Sequence, residues 1–221
     1  MSPVLVLTAH PDLRLSRVNR RLMEAASALA ARADGALEVR DLYALYPDFL
    51  IDVRAEQAAC ERARLIVLQH PIQWYSMPSL MKLWFDEVLT LGWAYGRGPD
   101  GRPASGLAGR DLWLVASTGG HESAYRPEGY NRYFFDAFLP PYEQTAALCG
   151  LRFLPPLLLH GAHAAPSEAV DAHAETFAAR LASYPDWPEM AELPECPTCE
   201  VPPGDRPVTA PDGAARLREA A

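Results

Sequence analysis

Short, continuous runs of apolar residues recur along this chain and constrain its fold more than any other feature. Pro3–Ala9 and Arg64–Gln69 are rich in Val, Leu and Ile, and each has the length of a single strand. A short run without polar alternation is typical of a strand in a parallel sheet that is covered on both faces. Further strands are predicted at Ala36–Asp41, Asp111–Ser117 and Arg152–His160.

Helical patterns separate these strands. Ser16 is suited to cap a helix that ends at Gly35, because apolar residues recur between them at helical spacing. Further helices are predicted over Asp52–Arg62, Pro78–Thr90, Tyr130–Gly150 and Pro166–Tyr184, with a kink or break at Pro140-Pro141. Strands that alternate with helices predict an α/β domain of three α/β/α layers. We expect a flavodoxin-like, doubly wound, five-stranded parallel sheet.

The 221 residues suffice for one such domain, which is predicted to span residues 1–184. From Pro185 onward the chain is rich in Pro, Asp and Glu and has few large apolar residues. Such a segment buries no core of its own, so residues 185–221 are predicted to form an extended tail.

Charge and hydropathy exclude several classes of protein. The net charge of −8, without a cluster of Lys and Arg, argues against a nucleic-acid partner. No apolar run reaches the roughly 18 residues of a membrane span. Val4–Leu7 is too short for the core of a signal peptide and follows no basic segment, so we expect a cytoplasmic location.

The four cysteines do not resemble a disulfide framework. Cys60 and Cys149 lie in apolar helical patterns and are expected to be inert core residues. Cys196 and Cys199 form a CxxC pair, which is only half of a structural zinc site, and its context is not that of a redox dithiol. No metal site is predicted.

Three of the predicted strands end in loops of unusual composition, at the sheet edge where open α/β sheets bind ligands. The first loop leads into the helix start Ser16-Arg17-Val18-Asn19, whose free N–H groups and dipole attract anions such as a phosphate. His10 and Arg17 add hydrogen bonds or positive charge. A plain N-cap with a solvated arginine explains these residues equally well. Neither a GxGxxG nor a Walker motif is present.

The second loop, His70–Pro78, carries Trp74 and Tyr75 between two prolines. Aromatic rings on a stiff loop can flank a planar heterocycle, while backbone amides reach its polar edge. An aromatic cluster that caps the core is an equally good interpretation.

The third loop runs from Ser117 to Tyr125. Its paired glycines allow the backbone to approach a ligand closely, and His121 and Tyr125 can donate or shuttle protons. An ordinary turn also uses Gly-Gly, so this loop alone is weak evidence.

Four ordered stretches resemble the NAD(P)H:quinone oxidoreductase family. They are LTAHPDLRLSRVNRRL, QHPIQWYSMPSLMKLWFDEVLTLGWAYG, STGGHESAY and CGLRFLPPLLLHG. The resemblance covers Val4–Tyr184 and is strongest to the short bacterial branch, the KefF/KefG-type ancillary proteins of glutathione-gated potassium efflux systems.

The resemblance implies a flavin cofactor, FMN or alternatively FAD. The residues that would hold the flavin phosphate are His10, Ser16, Arg17, Val18 and Asn19. Those that would contact the isoalloxazine ring are Pro71, Ile72, Gln73, Trp74 and Tyr75. Those that would cover its pyrimidine and ribityl side are Ser117, Thr118, Gly119 and Gly120.

The resemblance also implies an activity, the ping-pong reduction of quinones by NAD(P)H in two-electron steps, in a homodimer whose pockets are built by both subunits. Tyr125 matches a tyrosine that assists hydride transfer. Asn131 stands where the family has a second proton-relay residue, a histidine, and His121 lies on the wrong side of Tyr125 for a simple replacement.

Two further functions are compatible with the same residues. The first is a regulatory subunit that docks on a membrane potassium-efflux antiporter, which would bring the chain to the periphery of the inner membrane. The second is a flavodoxin-type electron carrier, which is less favoured because the short Ser/Thr-Gly phosphate loop is missing and the aromatic pocket suits a second planar substrate.

Overall fold

Five parallel strands form one sheet at the centre of the computed structural model, which describes residues 3–191. The strands are β1 (Val4–Thr8), β2 (Leu37–Asp41), β3 (Leu65–Pro71), β4 (Asp111–Ser117) and β5 (Arg152–Leu159). Their order is β2-β1-β3-β4-β5, and every neighbouring pair is parallel. The predicted doubly wound α/β fold is therefore confirmed.

Helices cover both faces of the sheet. They are α1 (Arg17–Ala30), α2 (Leu42–Leu45), α3 (Val53–Arg62), α4 (Ser79–Val88), α5 (Pro140–Leu148) and α6 (Ser167–Ser183). One buried cluster joins the sheet to α1 and α6, and another joins it to α2, α3, α4 and α5. Both faces of β1, β3 and β4 are buried, which accounts for their unbroken apolar runs.

The helix predicted over Tyr130–Gly150 is wrong in its first half. A 3₁₀ turn occupies Phe135–Phe138, and α5 begins at Pro140. The two prolines start this helix instead of kinking it, because the first turn of a helix needs no N–H donor. The short helix α2 escaped prediction; Asp41 caps it by accepting hydrogen bonds from the amides of Tyr43 and Ala44 at 3.1 and 3.3 Å.

The ordered packing continues beyond the predicted domain boundary at residue 184. The Trp187 ring is buried with its centroid 4.8 Å from that of Trp113, and the guanidinium of Arg180 lies over it at 4.9 Å. Most of the predicted tail, with Cys196 and Cys199, lies outside the described residues. Within residues 3–191, no helix has the length and hydropathy to cross a membrane.

His70 is a fully buried histidine at the end of β3. Its Nδ1–H donates to the carbonyl of Pro71 at 2.9 Å, which leaves Nε2 to accept from the hydroxyl of Tyr142 at 3.4 Å. The two rings stack with centroids 5.8 Å apart. Burial lowers the pKa of His70 to about 4, so the folded protein holds this imidazole neutral.

This burial predicts a loss of stability in mild acid. The unfolded chain binds a proton at His70 with a pKa near 6.5, whereas the folded chain binds it only near 4. The protein is therefore most stable above pH 6.5. As the pH falls from 6.5 to about 4, protonation of His70 in the unfolded chain lowers the free energy of unfolding by roughly 3 kcal/mol. Urea unfolding between about pH 7 and pH 4 measures the effect. His70→Asn should weaken the pH dependence of the free energy of unfolding. His163→Asn, at an exposed histidine, should leave it unchanged. If both variants show the same pH dependence, His70 is not its source.

Candidate functional site

A cleft of about 390 Å³ opens at the carboxyl ends of the strands. All three predicted loops contribute to it: His10, Ser16, Arg17, Val18 and Asn19 from the first, Pro71, Ile72 and Gln73 from the second, and Ser117, Thr118 and Gly119 from the third. Its lining also includes Leu15, Ala162 and His163. It does not include Trp74, Tyr75 or Gly120. The loops therefore converge at the edge where the order of the strands reverses.

A chain of buried polar side chains holds these loops together. Thr8 donates to Gln69 Oε1 at 2.7 Å, and Gln69 Nε2 donates to Asn19 Oδ1 at 2.8 Å. Asn19 Nδ2 then donates to Ser117 Oγ at 3.0 Å. All four side chains are almost completely buried. The chain links β1, β3, α1 and β4, so it sets where α1 begins relative to the other two loops.

The start of α1 presents unpaired donors to the cleft. Ser16 caps the helix by accepting from the amide of Asn19 at 3.0 Å. Within residues 3–191, the amides of Arg17 and Val18 have no hydrogen-bond acceptor. In the part of the chain that the structure describes, the hydrogen-bond partner of the exposed Arg17 guanidinium is Ser167 Oγ, at 3.4 Å. Two free amides, the positive end of a helix and an available guanidinium form a donor set that fits a phosphate.

His10 lies at the other side of this helix start. Its Nδ1 accepts a hydrogen bond from the amide of Asp12 at 3.1 Å, and burial lowers its pKa. The imidazole is therefore neutral at pH 7 and carries its proton on Nε2. Of the two roles predicted for His10, the geometry favours hydrogen bonding over positive charge.

The second loop is a strained turn around two aromatic residues. Gln73 and Ser76 exchange backbone hydrogen bonds of 2.9 and 3.0 Å, while Trp74 and Tyr75 adopt φ angles of 48° and 65°. Left-handed backbone is unfavourable for such side chains and is typical of ligand-binding segments. Trp74 is 93% exposed, so it does not cap the core. Tyr75 is half-exposed; its ring stacks on Phe138.

The backbone amides of this loop divide into two pairs. Ile72 N donates to the carbonyl of Ser117 at 2.7 Å, and Gln73 N donates to Ser76. Among the described residues, the amides of Trp74 and Tyr75 have no acceptor. Only the second pair is available for the predicted contacts between backbone amides and a flavin ring.

The third loop is tied to the segment that follows β5. Thr118 Oγ1 donates to the carbonyl of Gly120 at 2.7 Å, and the amide of Ala162 donates to the carbonyl of Thr118 at 2.8 Å. A Cβ atom at Gly119 would lie 3.1 Å from the ring of His163, and one at Gly120 would lie 2.6 Å from the hydroxyl oxygen of Tyr130. In both cases the neighbour is a side chain exposed to solvent, so a larger residue would have to displace it.

Tyr125 lies behind this loop, where it lines a second cleft of about 500 Å³. Its ring is buried and packs against Phe135 and His160, with centroids 5.3 and 5.2 Å away. Burial raises the pKa of Tyr125, and the nearby polar side chains of Thr118 and Asn131 partly offset that rise. The hydroxyl is therefore protonated at neutral pH and lies beside Thr118, which belongs to the first cleft.

Asn131 does lie beside Tyr125, at the position where the resemblance places a histidine. Its Oδ1 accepts from the hydroxyl of Tyr75 at 3.3 Å. An amide can hold a hydroxyl in place but cannot exchange protons. His121 packs instead over Gly161, where a Cβ atom would lie 2.8 Å from its Nδ1.

Sequence reasoning missed the segment after β5, which brings His160, Ala162 and His163 to the two clefts. The signal was present, because Arg152–His160 was predicted as a strand and its carboxyl end meets the same sheet edge as the others. Leu15 was missed for a different reason: it belongs to a 3₁₀ turn that has no periodic pattern.

Comparison with known proteins identifies relatives of this chain. A family model described as a flavodoxin-like fold matches residues 2–181. The glutathione-regulated potassium-efflux system ancillary protein KefF of Citrobacter koseri is 44% identical over 181 residues, which are 82% of this chain and 96% of that protein.

Solved structures agree with this relationship. General stress protein 14 of Treponema denticola, in complex with FMN, is 35% identical with a TM-score of 0.73 and covers 82% of this chain and 98% of its own. An NADPH-quinone reductase from P. pentosaceus has a TM-score of 0.66 over 82% of this chain and 98% of its own. At 23% identity, the second structure supports the fold alone.

Proposed function

The chain belongs to the flavodoxin-like family whose model matches residues 2–181 and is a relative of KefF, and we propose that it is a flavin-dependent enzyme that reduces quinones or similar acceptors with NAD(P)H. The observation that carries this proposal is the first cleft. It combines the free donors at the start of α1 with Pro71, Ile72 and Gln73, which lead directly into the strained, exposed turn of Trp74 and Tyr75 at the switch point of the sheet. That is the chemistry required to hold a planar heterocycle with a phosphorylated side arm.

FMN is the proposed cofactor, with FAD as the alternative. The FMN complex of the Treponema denticola relative supports FMN. The phosphate would be bound by the amides of Arg17 and Val18 and by the Arg17 guanidinium, with His10 as a further donor. Ser117 and Thr118 would contact the ribityl side.

The flavin ring would lie against the second loop. The free amides of Trp74 and Tyr75 can donate to its polar edge, and the exposed indole of Trp74 can cover an aromatic face. When bound, a flavin supplies the two-electron chemistry that protein side chains lack. The remaining tasks of the chain are to orient the substrates, exclude water and hold the proton that accompanies the hydride.

Tyr125 is proposed to hold that proton. Reduction of a quinone to a hydroquinone by one hydride consumes one additional proton. The Tyr125 hydroxyl is protonated at neutral pH and stands next to Thr118 in the wall of the first cleft. Asn131 orients it without titrating. The family resemblance and this position together support a role for Tyr125 as proton donor or hydrogen-bond partner.

We further propose a homodimer that completes each pocket with residues of the second subunit. Trp74, Tyr130, Tyr133 and Phe134 are all largely exposed near the two clefts, which supports burial against another copy. The chain is proposed to act in the cytoplasm.

A second role, as the ancillary subunit of a glutathione-gated potassium-efflux antiporter, is also proposed. The observation that favours it is the 44% identity to KefF over 96% of that protein's length. The two roles are compatible, because an enzyme can dock on a membrane protein through a surface remote from its pocket. Docking would place the chain at the periphery of the inner membrane.

The phosphate assignment predicts a selective effect on flavin binding. Arg17→Ala should raise the Kd for FMN about ten-fold, the value of one charge-assisted hydrogen bond. The Kd for riboflavin, which has no phosphate, should not change. Quenching of flavin fluorescence measures both constants. Arg20→Ala, at an exposed arginine of the same helix, is the control. Equal affinity of the unmodified protein for FMN and riboflavin would refute the assignment, and binding of neither FMN nor FAD would refute the function.

The role of Tyr125 predicts a defect in turnover without a defect in flavin binding. Tyr125→Phe should lower kcat for quinone reduction about a hundred-fold, the usual contribution of a proton-transferring side chain. Steady-state oxidation of NAD(P)H in the presence of a quinone measures it. Tyr43→Phe, at a tyrosine of α2 that lines neither cleft, should retain full activity. Unchanged turnover of the Tyr125 variant would remove this residue from the catalytic machinery.

The ancillary role predicts activation of a transporter. In bacterial cells that carry a glutathione-gated potassium-efflux antiporter but no ancillary protein, this chain should restore rapid potassium efflux after addition of an electrophile that forms a glutathione conjugate. A potassium electrode follows the efflux. The same cells with the empty vector are the control. If efflux is the same with and without the chain, the ancillary role is wrong and the enzymatic proposal is unaffected.

A further inference from the structure

His160 joins the two clefts at the point where Thr118 and Tyr125 meet. It follows β5 directly, and its half-buried ring lies between Tyr125 and Phe135, with centroids 5.2 and 5.3 Å away. Its Nδ1 lies 2.9 Å from Thr118 Oγ1. Thr118 lines the first cleft, whereas His160 and Tyr125 line the second. This hydrogen bond is therefore part of the wall between the two clefts.

The partners of Thr118 determine which ring nitrogen of His160 carries the proton. A threonine hydroxyl has one proton, and Thr118 directs it to the carbonyl of Gly120 at 2.7 Å. That carbonyl can only accept. Thr118 Oγ1 must therefore accept from His160, which requires the proton on Nδ1. Burial also lowers the pKa of His160, so the ring is neutral and Nε2 carries a lone pair.

The same reasoning limits what Thr118 can offer the Tyr125 hydroxyl. Because its own proton is directed to Gly120, Thr118 Oγ1 can only accept a hydrogen bond from Tyr125. A Tyr125 O–H that donates to this acceptor points its proton toward the first cleft, which Thr118 lines.

Resting on the proposed function, we propose that His160 is a positioning residue, which locks the Thr118 hydroxyl and thereby points the proton of Tyr125 toward the first cleft. Without the Nδ1–H donor, the Thr118 hydroxyl is free to rotate and donate to Tyr125. Such a rotation turns the Tyr125 proton away from the first cleft. The effect of His160 is therefore on turnover and not on flavin binding.

Two substitutions separate this role from simple packing. His160→Phe preserves an aromatic ring against Tyr125 and Phe135 but has no donor. His160→Asn loses the ring but places an amide N–H near the former Nδ1. We expect kcat for quinone reduction to fall about ten-fold in His160→Phe and to recover most of that loss in His160→Asn, with the Kd for FMN unchanged in both. A packing role predicts the opposite order.

A measurement independent of turnover tests the hydrogen bond itself. Nitrogen-15 NMR of histidine-labelled protein loaded with FMN, with the His160 signal assigned by its loss in His160→Asn, reports which ring nitrogen is protonated. We expect Nδ1–H at neutral pH in the unmodified protein and a shift toward Nε2–H in Thr118→Val.

The outcomes of these experiments separate the role of His160 from the proposed function of the protein. An Nε2–H tautomer in the unmodified protein, or a His160→Asn variant as slow as His160→Phe, overturns the role of His160 and leaves the proposed function intact. An unmodified protein that binds no flavin and oxidises no NAD(P)H contradicts the proposed function, and the role of His160 falls with it.

Discussion

The buried chain of hydrogen bonds from Thr8 through Gln69 and Asn19 to Ser117 is the interaction on which the rest of the site depends. Each bond contributes only about 1 kcal/mol, but loss of one member leaves a buried polar partner unsatisfied at a cost of about 1–3 kcal/mol. The chain crosses three strands and the first helix. It therefore holds the start of α1, the aromatic loop and the Ser117 loop in one arrangement.

Thr118 has a comparable importance for the chemistry. It lies on the first cleft, and its hydroxyl contacts the carbonyl of Gly120 and Nδ1 of His160. The segment after β5 completes this arrangement, because the amide of Gly161 donates to the carbonyl of Gly120 and that of Ala162 donates to the carbonyl of Thr118, each at 2.8 Å. The proton of the Thr118 hydroxyl is therefore directed to a backbone carbonyl, that of Gly120, which is more rigid than a surface side chain.

The sequence alone predicted the fold and most of the first cleft. Unbroken apolar runs identify β1, β3 and β4 as strands buried on both faces, and strand ends in a parallel sheet meet at one edge. For that reason Ser16–Asn19, Pro71–Gln73 and Ser117–Gly119 were predicted together and do line one cleft. Local rules failed at Pro140, where two of them conflict. Helical periodicity extended the predicted helix backward to Tyr130, whereas α5 begins at Pro140. Proline breaks a helix in its interior but is favoured in its first turn, so its effect depends on its place in the helix.

Tertiary structure alone decided the environment of each functional group. Nothing local indicates that Trp74 is exposed, that His70 is buried and neutral, or that His160, 35 positions beyond Tyr125, packs against its ring. Burial and hydrogen-bond partners are set by residues distant in the chain, and these determine protonation and orientation. The sequence by itself thus determined the type of sheet, its ligand-binding edge and the residues gathered there. Only the packing of β5 against β4 decided which histidine stands beside Tyr125, because that contact joins segments that no periodic pattern relates.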